Sequence, residues 1–487
     1  MGNEEIRTRI APSPTGWFHI GSARVALFNW LFSKRFGGKF ILRIEDTDKE
    51  RSEEKYTIDI MESLSWLGLD WDEGPETPDA LGPYRQSDRS DIYNKYAQQL
   101  LTDGKVYPCF CSSEDLEAEK KAQEEAHQPP RYSGKCRNLA PEQIENFKKE
   151  GKKFALRFKI DDSEEVTFKD LVKGDMSFDP TLFGDFIAIK SDGNPTFLFA
   201  GIIDDSEMKI SHVLRGEDHL SNTPRQILLA KAMNLPIPEY GHLSMILNPD
   251  RTKMSKRKNP VSISQDFRDQ GYLPEAMINF LVLLGWAPKE TQSNDEFYTL
   301  KDLINEFDLA EVGKSPAIFD QTKLDFFNGY YIRQLPLGDL AKRCLPYLLK
   351  AGLVEKEDEK VLKAVGLVQE RLKKLSEIVE LTDFFFSRPQ YKKDLLIPKK
   401  STEENIKKGL DAANKYLSEE SDFSRDSLEQ LLRAAANKIG ISAGEILWPI
   451  RVALSGKPAS PGSFELLEAF GKEESLARIK IAVDMLK

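Results

Sequence analysis

IRTRIAPSPTG, at residues 6–16, indicates how this chain begins to fold. Ile6 to Ile10 has the pattern of a short strand, and the two prolines and the glycine after it exclude regular structure, so a loop follows. Apolar residues then recur at helical spacing from Ile20 to Phe36, and Gly37-Gly38 ends that helix. Phe40 to Ile44 is apolar and β-prone, as expected of a buried parallel strand. This order predicts the opening of an α/β Rossmann-type sheet.

The segment that follows changes character at about Cys109. Glu114 to His127 predicts a highly charged helix, and Phe154 to Phe178 predicts short strands and turns, so an α+β insertion is expected here. Phe186–Ile189 and Ile202-Ile203 resume the pattern of buried strands. The predicted order is a first half of the α/β Rossmann-type domain at 1–108, the insertion at 109–185, the second half of that domain at 186–250, a basic loop with its following domain at 251–325, and a helical region at 326–487.

The carboxy-terminal part, from about Phe319 to Lys487, is dominated by helical periodicity. One apolar stripe consists of Leu428, Leu431, Leu432 and Ala435. The sequence therefore predicts a separate all-α region. Cys344 stands alone on an apolar helix face there and is predicted to be a core residue.

The bulk composition limits the classes of protein to consider. With 487 residues the chain exceeds a single core, and its net charge of −10 argues against a protein that coats nucleic acid without specificity. Such a charge is compatible with a specific RNA partner, because phosphate contacts are local. Ala276 to Trp286 is too short for a membrane span, four cysteines do not make a disulfide framework, and the amino terminus lacks an apolar signal core. We expect a cytoplasmic protein.

The first candidate for chemistry is His19-Ile20-Gly21-Ser22, which follows the proline-rich loop and starts a helix. Helix amino termini present unpaired N–H groups and a partial positive charge, which suits a phosphate. A histidine here can donate a hydrogen bond to an α-phosphate oxygen, and the glycine leaves room for a flat base. The alternative is that His19 only caps the helix.

The second candidate is Lys253-Met254-Ser255-Lys256-Arg257, within a segment that carries five basic residues from Arg251 to Lys258. Cations in a loop could neutralise a pyrophosphate leaving group and strengthen their contacts in the transition state. A solvated basic loop, or one that only touches RNA phosphates, is the alternative.

Together the two segments resemble the signature pair of class I aminoacyl-tRNA synthetases, with Ser22 in place of the second histidine of the first motif. Four further segments, in family order, resemble glutamyl-tRNA synthetases of the bacterial type, and the resemblance extends through the helical tail. They are Arg9 to Gly16, Arg43 to Asp48, Gly82 to Ser87 and Leu214 to His219.

The resemblance implies a glutamate–tRNA ligase that forms glutamyl-adenylate from L-glutamate and ATP with magnesium, then transfers glutamate to the 3′ end of tRNA(Glu). It implies a monomer with an acceptor-stem-binding insertion and a helical anticodon-binding domain. Catalytic roles fall on His19, Gly21, Ser22, Lys253, Ser255 and Lys256. ATP binding is implied for His19, Gly21, Ser22 and Lys256.

By the same resemblance the glutamate pocket is formed by Arg9, Ser13, Glu45, Phe197 and Arg215. A carboxylate is best held by arginine in a two-point, charge-assisted contact, so Arg9 or Arg215 suits the substrate side chain. Neutral glutamine would leave a buried cation unpaired, at a cost on the order of a few kcal/mol. Phe197 replaces a tyrosine usual in the family, and Gly201 is smaller than the usual residue there.

The tRNA contacts implied by the family are Tyr84, Arg85 and Gln86 at the 3′ end, and Arg371 at the anticodon. Arginine suits unstacked bases because one group can both stack and hydrogen-bond. A surface arginine on a charged helix is the alternative for Arg371. Whether tRNA(Gln) is also charged stays open.

Cys109, Cys111, Tyr132 and Cys136 resemble a structural zinc site of some relatives. Asn138 stands where many metal-binding relatives have a histidine. Two interpretations stay open for this cluster, a structural zinc site or three partly buried thiols.

Three other kinds of enzyme and one non-catalytic protein share features with this sequence. Glutaminyl enzymes end in β-barrels, whereas this tail is predicted to be helical. Truncated paralogues lack an anticodon domain, and small nucleotidyltransferases need no long tail. A non-catalytic tRNA-binding paralogue is the remaining alternative, and His19, Lys253, Lys256, Arg9 and Glu45 argue against it.

Overall fold

The computed structural model describes residues 5–77, 81–161, 165–254, 261–288 and 296–487. The chain divides into two compact units. The first runs to Arg268 and also includes Pro274–Gln321, and the second consists of Asp269–Leu273 and Thr322–Lys487.

Short strands and medium-length helices alternate in the first unit. Its described helices are α1 (Ile20–Arg35), α2 (Glu54–Trp66), α3 (Ser90–Thr102), α4 (Ser113–Glu125), α5 (Pro141–Lys149), α6 (Phe197–Glu207), α7 (Thr223–Met233), α8 (Pro274–Leu283) and α9 (Leu300–Glu306). Its described strands are β1 (Arg7–Ile10), β2 (Lys39–Leu42), β3 (Val106–Cys109), β4 (Ala155–Phe158), β5 (Val166–Asp170), β6 (Gly174–Phe178), β7 (Phe186–Ile189), β8 (His212–Gly216), β9 (Glu239–Leu243), β10 (Ile246–Leu247) and β11 (Ala317–Ile318).

The predicted strand–helix–strand opening is confirmed. β1 and β2 pair in parallel, with Arg9 opposite Ile41, and all four β1 side chains are buried. α1 buries Leu27 and Leu31 among other apolar residues. The chain leaves α1 through Gly37, whose φ of +65° is a conformation that glycine adopts without the steric penalty of a side chain.

A second parallel pair, β8 and β9, places Arg215 opposite His242. A backbone hydrogen bond of 3.0 Å from Ser211 to Arg7 links this pair to β1. Ligands of such sheets bind at the carboxyl ends of the strands, where two halves of the sheet meet. This edge also holds the start of α1, so the fold brings the ends of β1 and β8 and the His19 segment to one place.

A hairpin from the predicted insertion extends the second pair of strands. β5 is antiparallel to β6 and joins β9 in parallel through Asp170 and Tyr240, which gives the sheet order β6-β5-β9-β8. The predicted insertion therefore contributes two strands, β5 and β6, to the sheet that carries Arg215.

Two sequence expectations in the region after the insertion are corrected. Phe186–Ile189 is a strand, but it pairs antiparallel with β4 in a β3-β4-β7 sheet. Ile202-Ile203, predicted as a buried strand, lies in α6. A short apolar run has the same pattern in a buried strand and in a helix enclosed on all sides, and periodicity alone does not separate them.

The second unit confirms the predicted all-α region, since its described residues form helices and no strand. They are α10 (Gln321–Gln334), α11 (Leu337–Lys350), α12 (Glu359–Val368), α13 (Ile378–Phe386), α14 (Glu403–Glu419), α15 (Arg425–Ile439), α16 (Ala443–Ser455) and α17 (Ser463–Met485), the last interrupted at Gly471.

The cores of this unit also follow the predicted pattern. Leu428, Leu432 and Ala435 of the predicted stripe are buried in one apolar cluster, with Leu431 packed against it. Cys344 is fully buried in α11, as predicted. Over the described ranges, none of the helices has both the length and the apolar composition to cross a membrane.

Candidate active site

A cavity of about 290 Å³ opens at the carboxyl ends of β1 and β8. Its lining brings together residues that are far apart in the sequence. Those predicted as site residues are Arg9, His19, Gly21, Ser22, Glu45, Phe197, Arg215 and Lys253.

His19 is the N-cap residue of α1. Its Nδ1 accepts a hydrogen bond of 2.9 Å from the backbone N–H of Gly21. In the neutral imidazole this contact places the proton on Nε2, which makes Nε2 a hydrogen-bond donor. The capping interpretation and the catalytic one are therefore compatible, because the cap orients the ring and leaves Nε2 as the donor.

Arg9 is held by a carboxylate of its own chain. Its Nε and Nη2 lie 3.0 and 3.4 Å from the two oxygens of Asp205. Arg43 also donates to Asp205, at 2.7 Å from Nη1 to Oδ1. All three side chains are buried. Burial alone raises the pKa of Asp205, but Arg9 and Arg43 outweigh it and hold that pKa below its usual value.

Glu45 completes this buried group. Its Oε1 accepts from Arg43 Nη2 at 2.9 Å, while its Oε2 is buried and has no hydrogen-bond partner among the described residues. Burial raises the pKa of Glu45 above its usual value although Arg43 acts in the opposite direction. An unsatisfied buried carboxylate oxygen that borders a cavity is suited to a cationic ligand group.

Arg215 differs from Arg9 in its partners. Its Nη2 donates to Thr223 Oγ1 at 2.7 Å and its Nε to His242 Nε2 at 3.2 Å, and no carboxylate of the described residues pairs with it. Burial lowers its pKa to about 10, so the group stays charged at neutral pH. Arg215 is thus a buried cation whose immediate partners are neutral.

An aromatic residue, Phe197, and a glycine, Gly201, belong to the lining of the cavity. Phe197 is 38% exposed and its ring lies 5.2 Å from the ring of His219. A Cβ added to Gly201 would lie 3.2 Å from Nε2 of Gln226. Gln226 is buried and its Oε1 has no hydrogen-bond partner in the described structure, so the amide of Gln226 fills the space beside Gly201.

Lys253 is exposed at the rim of the cavity. Ser255 and Lys256, predicted to act with it, lie outside the described residues. Ser13 is exposed and is absent from the described cavity lining, although the adjacent Pro12 belongs to it.

The three residues predicted to contact the tRNA 3′ end differ in burial, since Tyr84 and Gln86 are buried and Arg85 is partly exposed. Tyr84 is buried and donates to Glu73 Oε2 at 2.8 Å, and buried Gln86 donates to Asp204 at 2.8 Å. These two side chains stabilise the interior, so the structure does not support a direct RNA contact for them. Arg85 reaches the surface, where it pairs with Glu54 at 2.8 Å.

In the second unit Arg371 is exposed. Burial lowers the pKa of Arg451, and the positive charge of Arg371 lowers it further. The guanidinium of Arg451 lies 4.8 Å from the ring centre of Trp448. No carboxylate of the described residues forms an ion pair with either arginine. Two neighbouring arginines, of which Arg451 lies over an aromatic ring, suit phosphate and bases.

The four predicted zinc ligands lie together. Ligand sulfur atoms of Cys109, Cys111 and Cys136 lie within 4.8 Å of one another, and the hydroxyl of Tyr132 lies 3.5 and 3.6 Å from the first two. Burial raises the pKa of Cys111 to about 11, with the neighbouring Cys109 adding to the effect. Asn138 is exposed.

Several cavity residues were missed by the sequence analysis. Asp205 had a usable signal, because Asp204-Asp205 follows directly on the apolar run that ends with Ile203. Asp218 and His219 lie within the quoted segment after β8. Gln226 had none, and neither had His242, which lies behind the lining against Arg215, since neither belongs to a motif.

Two parallel strand pairs, a first helix capped by histidine and a lysine in the cavity lining fit the catalytic domain of a class I aminoacyl-tRNA synthetase. Residues 5–326 match the family of class I tRNA synthetases (E and Q), catalytic domain, and residues 339–483 match an anticodon binding domain.

Among its relatives, the chain is 45% identical to glutamate–tRNA ligase 1 of Caldanaerobacter subterraneus over 99% of this chain and 98% of that protein. It is 44% identical to glutamate–tRNA ligase of Symbiobacterium thermophilum over 97% and 99%. A crystal structure of a glutamate tRNA ligase from Elizabethkingia meningosepticum matches with a TM-score of 0.87, at 34% identity over 99% and 100% of the two chains. The chain belongs to the glutamate–tRNA ligase family.

Proposed function

We propose that this protein activates L-glutamate with ATP and transfers it to the 3′ end of tRNA(Glu). The observation that carries the proposal is that two groups of opposite charge, Arg215 and Glu45, line the same cavity. Arg215 is a buried cation without a carboxylate partner in the described structure, and Glu45 offers a buried oxygen without a donor. An amino acid with an acidic side chain supplies both missing partners, its carboxylate for Arg215 and its ammonium for Glu45.

Selection against glutamine follows from the charge of Arg215. A neutral amide would leave this cation unpaired in a buried place, a cost on the order of a few kcal/mol. Asp205 already balances the charge of Arg9 by accepting from its Nε and Nη2. Arg9 orients the substrate with the N–H groups that Asp205 does not occupy. Phe197 lines the same pocket but has no hydroxyl to offer the substrate. Ser13 contributes to the glutamate site from the loop whose Pro12 belongs to the cavity lining.

ATP with magnesium binds between the start of α1 and the basic loop at Lys253. His19 and Ser22 donate to the α-phosphate, and Gly21 leaves room for the base. An oxygen of the α-carboxylate of glutamate attacks the α-phosphorus, the bond from this phosphorus to the oxygen bridging to the β-phosphate breaks, and pyrophosphate leaves. Lys253, Ser255 and Lys256 stabilise the charge on the departing group.

In the second step a ribose hydroxyl at the tRNA 3′ end attacks the acyl carbon of the adenylate, and AMP leaves. We assign the acceptor stem to the insertion at 109–185 and the anticodon to the helical region at 326–487. Arg85, whose side chain is partly exposed, contacts the 3′ end, and Arg371 with Arg451 contacts the anticodon loop. The protein acts as a monomer in the cytoplasm.

A structural zinc ion is part of the proposal. Thiolates at about 2.3 Å from a tetrahedral zinc lie roughly 3.8 Å apart, and the Cys111 and Cys136 sulfur atoms are 3.7 Å apart. Cys109 and Tyr132 supply the other two ligands. The ion would stabilise the fold of the insertion, because all four residues come from it.

ATP–pyrophosphate exchange tests the proposal, with glutamate, glutamine or no amino acid, each with and without total tRNA. We expect exchange with glutamate and tRNA together. A folded sample that shows no exchange under any condition, yet binds tRNA, would establish a non-catalytic tRNA-binding protein instead.

A further inference from the structure

Beneath the proposed glutamate pocket lies a buried chain of hydrogen bonds that starts in the insertion. Oδ1 of Asp170 accepts from the backbone N–H groups of Val172, Lys173 and His242, at 2.9, 2.7 and 3.2 Å. Its Oδ2 lies 2.5 Å from Nδ1 of His242. Both carboxylate oxygens are therefore occupied as acceptors, and Nδ1 of His242 must carry a proton.

The other nitrogen of His242 faces Arg215. Nε of Arg215 donates to His242 Nε2 at 3.2 Å, and Thr223 Oγ1 lies 2.9 Å from the same nitrogen. Asp170, His242, Arg215 and Thr223 are between 0% and 6% exposed. With its proton on Nδ1, a neutral His242 offers its lone pair at Nε2, which is the state that Arg215 needs as an acceptor.

We propose that Asp170 and His242 are positioning residues that hold Arg215 through a neutral acceptor, so that its positive charge is kept for the substrate carboxylate. The inference rests on the proposed function and goes beyond it. A carboxylate in the place of His242 would position Arg215 equally well but would neutralise it, as Asp205 does for Arg9. A neutral acceptor fixes the side chain without supplying a competing anion.

The origin of Asp170 gives this arrangement a second consequence. Asp170 ends β5, within the predicted insertion, and pairs with Tyr240 of β9. Leu171 N–H also donates to the carbonyl of Tyr240 at 2.8 Å. The segment proposed to hold the acceptor stem therefore sets the tautomer of a histidine behind the glutamate pocket.

The Asp170→Asn substitution tests the tautomer directly. Three backbone N–H groups continue to require the carbonyl oxygen of the new amide, so its NH₂ group must face Nδ1 of His242. Nδ1 then becomes an acceptor, the proton moves to Nε2, and Nε2–H opposes Nε–H of Arg215. We expect the KM for glutamate to rise about 10- to 100-fold, with a smaller change in kcat. Asp175→Asn, at an exposed position of the same hairpin, is the matched control.

NMR of protein labelled with ¹⁵N-histidine identifies the protonated nitrogen, and the signal missing from His242→Gln assigns the resonance. We expect a proton on Nδ1 in the unsubstituted protein and on Nε2 in Asp170→Asn. The same tautomer in both proteins, or a reversed tautomer with an unchanged KM for glutamate, would overturn the proposal. The NMR result does not depend on activity, so it stands apart from a failure of the proposed function, which would abolish glutamate-dependent exchange in the unsubstituted protein.

Substitution of His242 itself separates positioning from packing. In His242→Gln the amide oxygen can accept from Arg215 while the NH₂ group donates to Asp170, so the KM is expected to stay within a few-fold. In His242→Phe the ring remains but the acceptor is lost, and the KM is expected to rise at least about 10-fold. Equal KM values for the two variants, both folded by circular dichroism, would contradict a positioning role.

Discussion

Arg43 Nη2 lies 2.9 Å from Oε1 of Glu45, while Oε2 of the same carboxylate has no hydrogen-bond partner among the described residues. One oxygen of Glu45 is therefore fixed by the protein, and the other is left without a donor in a residue that lines the cavity. Asp205 holds Arg43 from the opposite side and also holds Arg9. The separation between Arg9 and Glu45 is set before any ligand binds, which lowers the cost of orienting a substrate.

Glu45→Gln should raise the KM for glutamate by about 100-fold or more, because the ammonium group of the substrate loses a buried anionic partner. The shape of the side chain is preserved, so the effect reports charge. Glutamate-dependent exchange gives the KM, and Glu50→Gln, at a nearby exposed position just beyond this segment, should leave it unchanged. An unaltered KM in Glu45→Gln would remove Glu45 from the glutamate site.

Arg43→Met should lower the free energy of unfolding by about 3–5 kcal/mol, since buried Asp205 and Glu45 lose the cation between them. Urea unfolding measures the change. Arg51→Met breaks a surface pair in which the arginine side chain is 74% exposed, and its cost should stay below about 1 kcal/mol. Similar losses in the two variants would show that the buried network contributes no more than a surface pair.

Metal analysis of purified protein should find one zinc per chain, and Cys111→Ala should lose it because the remaining ligands no longer close a tetrahedral site. Cys344→Ala serves as the control, since Cys344 is buried in α11 of the second unit and is not one of the predicted zinc ligands. Protein that contains no zinc and takes up none when zinc is added would favour three ordinary thiols.

Arg371→Ala should raise the KM for tRNA about 10-fold and leave the KM for glutamate unchanged, because the contact is confined to the anticodon side. Aminoacylation with varied tRNA gives both constants. Arg433→Ala removes an exposed arginine of the same unit that is already paired with Glu429 at 2.8 Å, and no change is expected. Equal effects of the two substitutions would point to general charge attraction.

Acid should destabilise the protein through His242. Burial lowers the pKa of His242, with Arg215 and Lys173 in the same direction and Asp170 opposed. Between that lowered pKa and the unfolded value of about 6.5, the unfolded chain binds more protons, so stability falls as the pH decreases, by at most about 1.4 kcal/mol per pH unit.

Urea unfolding of the unsubstituted protein and of His242→Gln, at pH 7.5 and 5.5, isolates this contribution. The loss between the two pH values should be smaller in the variant, which has no imidazole to protonate. An equal loss in both would mean that His242 is protonated as readily in the folded protein as in the unfolded one.

Local patterns were sufficient for the elements near the amino terminus and for the helical tail. Two prolines and a glycine separate β1 from α1, and the apolar stripe from Leu428 to Ala435 is buried as its spacing predicts. The prediction of a strand at Ile202-Ile203 was wrong because this apolar run is enclosed on all sides in α6. A fully enclosed helix and a buried strand have the same apolar pattern, so the sequence does not separate them.

The sequence by itself determined the family and the order of its motifs, and it predicted the main site residues, because helix caps, strand runs and motif spacings are local properties of the chain. Only the tertiary structure decided which charges are already neutralised. Asp205 and Arg9 are 196 residues apart, and Asp170 and His242 are 72 apart. Whether a buried charge is paired depends on side chains that the sheet brings together from distant segments, and no local pattern records that distance. For this reason Arg9 and Arg215, equivalent by residue type, have different partners in the folded protein.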